Sequence, residues 1–333
     1  MEISQFVLAS RPIGVPSTDN FRFEKSTLPD LKDGEILLKP WYFSVDPYMR
    51  GRMNSVKSYA ASFEVDQPIK GGAVALVAES RNSGFHKGDA VVGTLPWATF
   101  CIHTGENLRK VDVQSIPPGY YLGILGMPGL TAYIGMMEIS KISKGETAVV
   151  SGAAGAVGIA AGQIAKIQGA RVIGIAGTDE KCRLLKEKFG FDEAINYKTS
   201  KSMRKELAIL CPEGVDVYFD NVGGEITEAV AANLDFHARI ALCGQISQYN
   251  NTKPYIGYSI LPHLLTRSVM MQGFIVRNYS DKFDKALKDL TQWFNEGKLK
   301  YTETVLEGFD KLPEAFLGLF SGNNQGKMLV KTK

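Results

Sequence analysis

A glycine-rich stretch at residues 149–158, VVSGAAGAVG, constrains the fold of this 333-residue chain more than any other feature. Gly152, Gly155 and Gly158 lie between a predicted strand and a predicted helix, which is the setting of a dinucleotide-binding turn. Gly152 suits the tight turn, Gly155 would let the backbone approach a pyrophosphate, and Gly158 would let the helix pack closely on the sheet. The unpaired N–H groups at the helix N-terminus would then face the phosphates. The alternative is a run of helix-packing glycines without a ligand.

The next predicted strand, RVIGIAGT at 171–178, indicates which dinucleotide would bind. An NAD site carries Asp or Glu at the end of this strand, where the carboxylate binds the ribose 2′-hydroxyl. Here the strand ends in Gly177 and Thr178, and the next basic residue is Lys181. The missing carboxylate and the nearby ammonium favour the 2′-phosphate of NADP. A solvated position on the helix surface is the alternative for Lys181.

The two halves of the chain differ in periodicity. Up to about residue 113, short β-branched and aromatic runs separated by turn residues favour a small antiparallel barrel or sandwich. Beyond about residue 145, strands alternate with helices, which favours a doubly wound parallel sheet with helices on both faces. At roughly 150 residues a domain, the length predicts two domains. Strands are predicted at 35–45, 71–80, 91–103, 147–152, 171–177, 216–224, 239–247, 269–276 and 327–331, and helices at 156–169, 179–190, 312–322 and 280–297, the last beginning at Ser280 and Asp281.

Residues 114–137 carry no charged side chain and are long enough to cross a membrane. Three prolines and five glycines interrupt this stretch. A helix broken in this way would expose backbone donors to lipid at several kcal/mol each. We therefore expect a buried segment and no membrane span. The first residues also lack the basic and apolar regions of a signal peptide.

Charge and cysteine content narrow the partners and the compartment. Thirty-eight Lys and Arg against 35 Asp and Glu give a net charge of +3, too weak to indicate a nucleic-acid or polybasic membrane surface. The four cysteines and four histidines show no metal-ligand spacing. Cys101 and His103 could converge, but two such residues rarely supply a zinc site. We expect no metal, and reduced thiols in a cytoplasmic protein.

Phrases along nearly the whole chain resemble one enzyme family. They are SVDPYMRGRM (44–53), GILGMPGLTAYIGM (123–136), SGAAGAVG (151–158), GQIAK (162–166), YFDNVGGE (218–225) and GFIV (273–276). The chain resembles the zinc-independent medium-chain dehydrogenases/reductases, in the branch of leukotriene B4 12-hydroxydehydrogenase/prostaglandin reductase and the plant alkenal double-bond reductases.

The resemblance implies an α/β fold with two domains. A GroES-like, mainly β substrate domain would cover 1–125 and be completed by 300–333, and a Rossmann NADP-binding domain would cover 126–299. It also implies a homodimer joined through the Rossmann sheets. The implied reaction is NADPH-dependent reduction of a C=C bond conjugated to a carbonyl, with a small unsaturated aldehyde, ketone or quinone as substrate.

The resemblance also implies which residues bind NADPH. The phosphates would meet the turn, the 2′-phosphate a lysine and a tyrosine, the adenine and ribose the stretch after the fifth strand, and the nicotinamide the residues of GFIV and the C-terminal segment. In that order they are Gly155, Ala156, Val157, Gly158; Lys181, Tyr197; Cys243, Gly244, Gln245, Ile246, Ser247, Gln248, Tyr249; and Phe274, Ile275, Val276, Asn324. Asn221, which follows the fourth strand of this domain, is a further implied cofactor residue. The spacing between Lys181 and Tyr197 is one residue longer than in close relatives.

The proton donor departs from the family pattern. Many members carry a tyrosine shortly before GFIV, and that position is Thr266 here. Tyr255 and Tyr258 lie nearby in the sequence. We expect Tyr48, in the VDPYMR phrase on the substrate side, to be the donor, with Tyr258 second and Thr266 third. Packing against the substrate or the barrel is the alternative for Tyr48.

Other functions of the same scaffold stay open. The alternatives are an NADPH quinone reductase, a zinc-free alcohol dehydrogenase, and an NADPH-binding protein without turnover. Zinc-dependent alcohol oxidation is disfavoured because its ligand set is absent from the sequence.

Overall fold

A computed structural model of the chain describes residues 1–332, which divide into two units. The first unit contains Met1–Leu122 together with the described residues from Glu303 onward. The second unit contains Gly123–Thr302. Each unit has its own sheet, and each is described separately below.

The elements are numbered in chain order. The strands are β1 (Glu2–Leu8), β2 (Phe21–Thr27), β3 (Ile36–Ser44), β4 (Lys70–Ser80), β5 (Ala90–Pro96), β6 (Cys101–His103), β7 (Arg109–Lys110), β8 (Thr147–Val150), β9 (Arg171–Ala176), β10 (Glu193–Asn196), β11 (Val215–Asp220), β12 (Leu234–Leu242), β13 (Met270–Gly273), β14 (Glu303–Glu307) and β15 (Lys327–Lys331). The helices are α1 (Tyr48–Arg52), α2 (Met127–Tyr133), α3 (Ala156–Ile167), α4 (Asp179–Glu187), α5 (Met203–Leu210), α6 (Gly224–Ala231), α7 (Leu261–Thr266), α8 (Phe283–Asn295) and α9 (Leu312–Ser321). Short 3-10 helices cover Thr18–Asn20, Pro118–Leu122, Ile246–Gln248, Val276–Lys282 and Phe309–Lys311, and a π-helix, Ile134–Ile139, continues α2.

The first unit is mainly β, as the sequence predicted. Its seven-stranded sheet runs β14-β15-β3-β4-β5-β7, with β6 paired to β3, and β1 and β2 form a separate antiparallel pair. All neighbours in the larger sheet are antiparallel except β14 and β15. The C-terminal strand β15 pairs with the end of β3, so that Leu329 lies opposite Ser44.

Aromatic and aliphatic side chains fill the core of the first unit. Phe43, Leu38 and Trp97 are fully buried, and Trp97 stacks on Phe21 with ring centroids 6.1 Å apart. Phe316 from α9 meets the other edge of Phe21 at 6.0 Å. These large apolar surfaces stabilise a sheet whose strands are distant in sequence.

The second unit contains a six-stranded parallel sheet in the order β10-β9-β8-β11-β12-β13. Counted within the sheet, this is the order 3-2-1-4-5-6 of the Rossmann fold. The predicted doubly wound α/β domain is therefore confirmed. The strand order reverses between β8 and β11, so the connections leaving these two strands diverge and open a crevice at their carboxyl ends.

The central strands of this sheet are apolar along nearly their whole length. Within β9 every residue from Val172 to Ala176 is buried, and β8 and β11 show the same pattern. Continuous burial is expected where helices cover both faces of a parallel sheet. Gly162 on α3 permits one such contact, because a Cβ there would lie 1.9 Å from the ring of Phe191.

Five predicted elements have wrong boundaries. The strand predicted at 91–103 is two strands, β5 and β6, with a break after Pro96. The strand predicted at 216–224 ends at Asp220, because the glycines that follow turn the chain into α6. The helix predicted to begin at Ser280 and Asp281 begins at Phe283, because residues 276–282 form a 3-10 helix and neither side chain caps α8. The strand predicted at 239–247 begins at Leu234 and ends at Leu242. The strand predicted at 269–276 ends at Gly273. In the last two cases the apolar run continues past the sheet into the loops that line the crevice.

The uncharged stretch at 114–137 contains the 3-10 helix Pro118–Leu122 and helix α2, and most of its residues are buried. Among residues 1–332, no helix has both the length and the apolar character that a membrane crossing requires.

Candidate functional site

The turn between β8 and α3 is built around glycines. Gly152 has a φ of +57°, and the N–H of Gly155 donates to its carbonyl at 3.0 Å. A Cβ on Gly158 would lie 2.4 Å from the Gly152 carbonyl oxygen and 2.7 Å from the Cα of Ala153. Only glycine at 158 lets the first turn of α3 lie against the backbone of the preceding turn.

The N-terminus of α3 has the features of an anion-binding site. Gly155 is the N-cap and offers no side chain, so it leaves the first N–H groups of this 12-residue helix uncapped by its own residue. The N–H groups of Ala156, Val157 and Gly158 have no intrahelical partner, and the helix dipole adds partial positive charge. A Cβ on Gly155 would meet only the Gly152 oxygen, at 3.3 Å. The space above Gly155 therefore fits a phosphate group.

Hydrogen bonds join the ends of β8 and β11 at the point where the strand order reverses. The Ser151 hydroxyl donates to Oδ1 of Asp220 at 2.9 Å and accepts from the N–H of Asn221 at 2.9 Å. The Asn221 side chain donates to the Ser151 carbonyl at 2.7 Å. The predicted residue Asn221 thus holds the glycine turn against the neighbouring strand.

Asp220 organises this junction and was not among the predicted site residues. Its carboxylate is fully buried and accepts five hydrogen bonds from uncharged donors. The donors are the Ser151 hydroxyl, the Tyr218 hydroxyl (2.8 Å), the Thr227 hydroxyl (2.6 Å), and the N–H groups of Val222 (2.9 Å) and Gly223 (3.0 Å). Burial and the carboxylate raise the pKa of Tyr218 well above its usual value, so Tyr218 remains a donor. The sequence feature that could have identified Asp220 is the phrase YFDNVGG, in which an Asp ends an apolar strand.

Lys181 and Tyr197 both lie close to the end of β9, and Lys198 is near enough to act on the charge of Lys181. The Thr178 hydroxyl caps α4 by accepting from the N–H of Lys181 at 3.2 Å. The Tyr197 ring packs at Gly177, where a Cβ would lie 3.1 Å from the ring. Partial burial lowers the pKa of Lys181, and the nearby ammonium of Lys198 lowers it further. Two ammonium groups in proximity favour an anion between or beside them. The spacing of Lys181 and Tyr197 could not reveal Lys198, because its approach depends on β10 pairing with β9.

A cavity of about 550 Å³ opens at the carboxyl ends of β12 and β13. The lining includes Cys243, Gly244, Phe274 and Ile275, four of the predicted cofactor residues. The remaining lining residues are Leu242, Gly273, Asn278 and Tyr279. Removal from water raises the pKa of Cys243 to about 12, with Asp220 as the second cause, so this thiol is neutral at physiological pH. A neutral thiol suits a packing role rather than nucleophilic attack.

Comparison with known proteins identifies the family. Residues 4–111 match a family model described as the N-terminal domain of oxidoreductase, and residues 156–292 match one described as zinc-binding dehydrogenase. The putative NADP-dependent oxidoreductase YfmJ of Bacillus subtilis is 52% identical over 329 residues, which cover 98% of this chain and 97% of that protein. The chain belongs to the zinc-independent medium-chain dehydrogenase/reductase family.

Other relatives place the chain in the prostaglandin reductase branch of this family. Prostaglandin reductase 1 of Bos taurus is 45% identical and covers 96% of both chains, and the NADPH-dependent curcumin reductase of Escherichia coli is 39% identical over 98% of this chain and 96% of that protein. The crystal structure of CurA from Vibrio vulnificus in complex with NADPH superposes with a TM-score of 0.95 at 43% identity, and 99% of each chain is covered. The sequence-based family prediction is confirmed.

In this chain, the loop after β12 contains the next group of predicted cofactor residues. Gln245 lies against Gly223, and its N–H donates to the Tyr249 hydroxyl at 3.4 Å. The Ser247 hydroxyl donates to the Val222 carbonyl at 2.6 Å. Ile246 and Gln248 belong to the same short 3-10 helix. The loops after β11 and β12 are thus joined along one side of the crevice.

The residues predicted near the nicotinamide lie in both units. Val276 begins the 3-10 helix that follows Phe274 and Ile275 in the second unit. In the first unit, the Asn324 side chain donates to the Gly326 carbonyl at 2.8 Å, and half-buried Tyr48 begins α1 and packs against the core.

Tyr255, Tyr258 and Thr266, the donor candidates in or near α7, differ in their exposure and in their hydrogen-bond partners. Tyr258 is 87% exposed, and its N–H donates to Oε1 of Glu228 at 3.0 Å. The Tyr255 hydroxyl donates to the same oxygen at 2.6 Å, which raises the pKa of Tyr255 to about 12. The Thr266 hydroxyl donates to the Pro262 carbonyl at 2.7 Å within its own helix.

Among residues 1–332, no group of three or more His, Cys, Asp or Glu side chains could hold a metal ion.

The roles of Gly155 and Gly158 can be distinguished by substitution. Gly158→Ala should destabilise the second unit by about 1–3 kcal/mol, because its Cβ would overlap backbone atoms that cannot move independently. Gly155→Ala should cause a much smaller loss of stability but a clear loss of NADPH affinity, because its methyl group would occupy the space above the helix N-terminus. Thermal unfolding and NADPH titration measure the two effects. NADPH affinity that survives Gly155→Ala would place the phosphates elsewhere.

Proposed function

We propose that this chain is an NADPH-dependent reductase of C=C bonds conjugated to an aldehyde or ketone. Full-length similarity to prostaglandin reductase and to NADPH-dependent curcumin reductase carries the proposal. The proposed NADP-binding domain is 126–299, and the proposed substrate domain is 1–125 completed by 300–333.

The second unit supports the choice of cofactor. The glycine turn and the uncapped N-terminus of α3 suit a pyrophosphate, and β9 ends without a carboxylate. We assign the 2′-phosphate to Lys181 and Tyr197, with Lys198 as an additional cation. A phosphate dianion beside these groups would offset both causes of the lowered pKa of Lys181, which are first its partial burial and second the charge of Lys198.

The other cofactor contacts are assigned by position around the crevice. The residues of the β8–α3 turn are proposed to hold the pyrophosphate, the loops after β11 and β12 the adenosine side, and the residues after β13 the nicotinamide. These are Gly155, Ala156, Val157 and Gly158; Asn221 and Cys243 through Tyr249; and Phe274, Ile275 and Val276. Asn324, which belongs to the first unit, is proposed from the family resemblance alone.

Bound NADPH would supply a hydride to the carbon β to the carbonyl. The carbonyl oxygen then gains negative charge, and a hydrogen-bond donor must stabilise it and a proton must be delivered to complete the saturated product. We assign the protein donor to Tyr48, with Tyr258 as second candidate. The Thr266 hydroxyl already donates to Pro262, which weakens the third candidate.

We infer that the protein is a cytoplasmic homodimer. The last strand of the parallel sheet, β13, pairs with β12 alone, and an edge strand offers unpaired N–H and C=O groups to a second sheet. Large apolar side chains are exposed near it, with Met270 on β13 and Leu261 and Leu265 on α7 at 46%, 67% and 82%. Exposed apolar area beside an open edge supports pairing of two copies.

The four cysteines are free, with no disulfide among them, which accords with the proposed reducing, cytoplasmic compartment.

The reaction class is tested with enals, enones, quinones and simple secondary alcohols. NADPH should be consumed with the enals and enones, and mass spectrometry should show a product that has gained two hydrogens with the carbonyl intact. Turnover of quinones alone would favour the quinone reductase, and oxidation of alcohols with NADP⁺ alone would favour the alcohol dehydrogenase. NADPH binding without turnover of any compound would indicate a binding protein.

Lys181→Ala should weaken NADPH binding and leave NADH binding almost unchanged. A charge-assisted hydrogen bond contributes about 1.5–3 kcal/mol, which is roughly ten- to a hundred-fold in affinity. Lys186→Ala is the control, because Lys186 is on the same helix but pairs with Glu193 at 2.9 Å. Equal weakening of both cofactors by Lys181→Ala would make Lys181 a structural residue.

Tyr48→Phe should reduce kcat for an enone on the order of 10²–10³-fold, which is the usual effect of losing one donor to an oxyanion. The dissociation constant for NADPH should stay the same, because the ring and its packing are retained. Tyr258→Phe is measured in parallel. If Tyr258→Phe slows turnover and Tyr48→Phe does not, the donor lies in the second unit.

Light scattering at micromolar concentration should give about twice the chain mass of 36.5 kDa. Replacing Leu265 with Glu should shift the population to monomer, because burying an unpaired carboxylate in an interface is costly. A wild-type chain that is monomeric at this concentration would exclude the proposed dimer.

A further inference from the structure

Helix α1, which begins with Tyr48, is too short to set its own direction. It contains five residues, and its N-cap, Pro47, supplies no capping side chain. The first bonds are turn bonds, from the Met49 N–H to the Asp46 carbonyl at 3.1 Å and from the Arg50 N–H to the Pro47 carbonyl at 3.0 Å. One turn of helix is unstable alone, so surrounding contacts must hold it.

Three buried side chains of α1 and its C-terminal end supply part of these contacts. Met49 and Met53 are each 1% exposed in the core of the first unit. The Arg50 guanidinium donates to the Gly14 carbonyl at 2.9 Å and to Oδ1 of Asn54 at 2.7 Å. These contacts fix the inner side of the helix but not the turn that precedes Tyr48.

The preceding turn is held by a residue more than 280 positions away in the sequence. Lys327 begins β15, and its side chain is 2% exposed. Its ammonium donates to the Val45 carbonyl at 2.9 Å and to Oδ1 of Asp46 at 2.8 Å. The Ser44 hydroxyl donates to the other oxygen of the same carboxylate. Every residue from the end of β3 to Asp46 is thus tied, directly or through Asp46, to one ammonium.

This ion pair is a costly way to stabilise a sheet. Taking an ammonium out of water carries a penalty of several kcal/mol, and a buried pair is often replaceable by apolar residues without loss of stability. The strand itself is already paired, with Leu329 opposite Ser44 and the Val45 N–H donating to the Met328 carbonyl at 3.5 Å. What the pair adds is a directional constraint on the carboxylate of Asp46, two residues before Tyr48.

We propose that Lys327 is a positioning residue which, through Asp46, sets the orientation of Tyr48 for proton donation. The inference rests on the proposed function, since it requires Tyr48 to act on an enone. A role limited to stability would make the pair important for folding but indifferent to whether Tyr48 has a hydroxyl. If the pair positions Tyr48, its effect on kcat should depend on the presence of the Tyr48 hydroxyl.

The primary experiment is a double-mutant cycle of Lys327→Met and Tyr48→Phe. Lys327→Met should lower kcat for an enone by up to about 10²-fold, the effect of a small misplacement of a catalytic group. In the Tyr48→Phe background the same substitution should cost almost nothing further, because the hydroxyl that it positions is gone. KM for NADPH should change far less than kcat.

Lys331→Met is the matched control, because Lys331 is on the same strand but its side chain is 40% exposed and contacts Glu307 at the surface at 3.5 Å. It should leave kcat unchanged. Lys327→Arg, which keeps the charge, should retain more activity than Lys327→Met. If Lys327→Met fails to fold, Asp46→Asn replaces it in the cycle, since it keeps the side-chain size and removes the charge.

The outcomes separate the inference from the proposed function. No enone turnover by the wild-type chain overturns the function and with it the role of Lys327. Enone turnover that Tyr48→Phe leaves unchanged keeps the reaction but removes Tyr48, and so overturns the positioning role. A slow Tyr48→Phe variant in which Lys327→Met, or Asp46→Asn in its place, acts additively overturns only the positioning role. A non-additive cycle with an unaffected Lys331→Met control supports it.

Discussion

The buried carboxylate of Asp220 is the interaction on which the second unit depends. An anion removed from water must be fully hydrogen-bonded, and Asp220 meets this requirement with five donors from the ends of β8 and β11 and the start of α6. Because each donor has to be in place, the carboxylate fixes Ser151 and the Gly223 turn together. The same hydrogen bonds join the loops at the reversal of strand order, and α3 beside them begins without a side-chain cap.

In the first unit a buried charged group also holds a short segment of backbone in place, but here the group is an ammonium. The short helix α1 cannot be held by its own hydrogen bonds, so long-range contacts hold it, among them the ammonium of Lys327. Both devices place a charged group in the interior where neutral packing would suffice for stability. In both cases the charged group lies beside residues that we assign to the chemistry, and directional hydrogen bonds fix backbone there more tightly than apolar contacts do.

Local sequence patterns were sufficient for the parallel sheet and the glycine turn. The roles of Gly152 and Gly158 could be predicted from their spacing: the positive φ of Gly152 favours glycine, and a Cβ on Gly158 would lie 2.4 Å from a carbonyl oxygen. Lys181 could be found because it is the first basic residue after β9. Lys198 could not, since it approaches Lys181 only after β10 pairs with β9. The start of α8 was missed because Ser280 and Asp281 resemble a cap but lie inside a 3-10 helix.

The sequence by itself therefore determined the alternation of strands and helices, the position of the glycine turn, the absence of a carboxylate at the end of β9, and the family. These are properties of residues that are close together in the chain, where periodicity and backbone sterics act. Only the tertiary structure decided that Asp220 joins two strands and that Lys327 reaches Asp46. Each of these depends on which atoms burial brings within hydrogen-bond distance, and no local pattern in the chain encodes that distance.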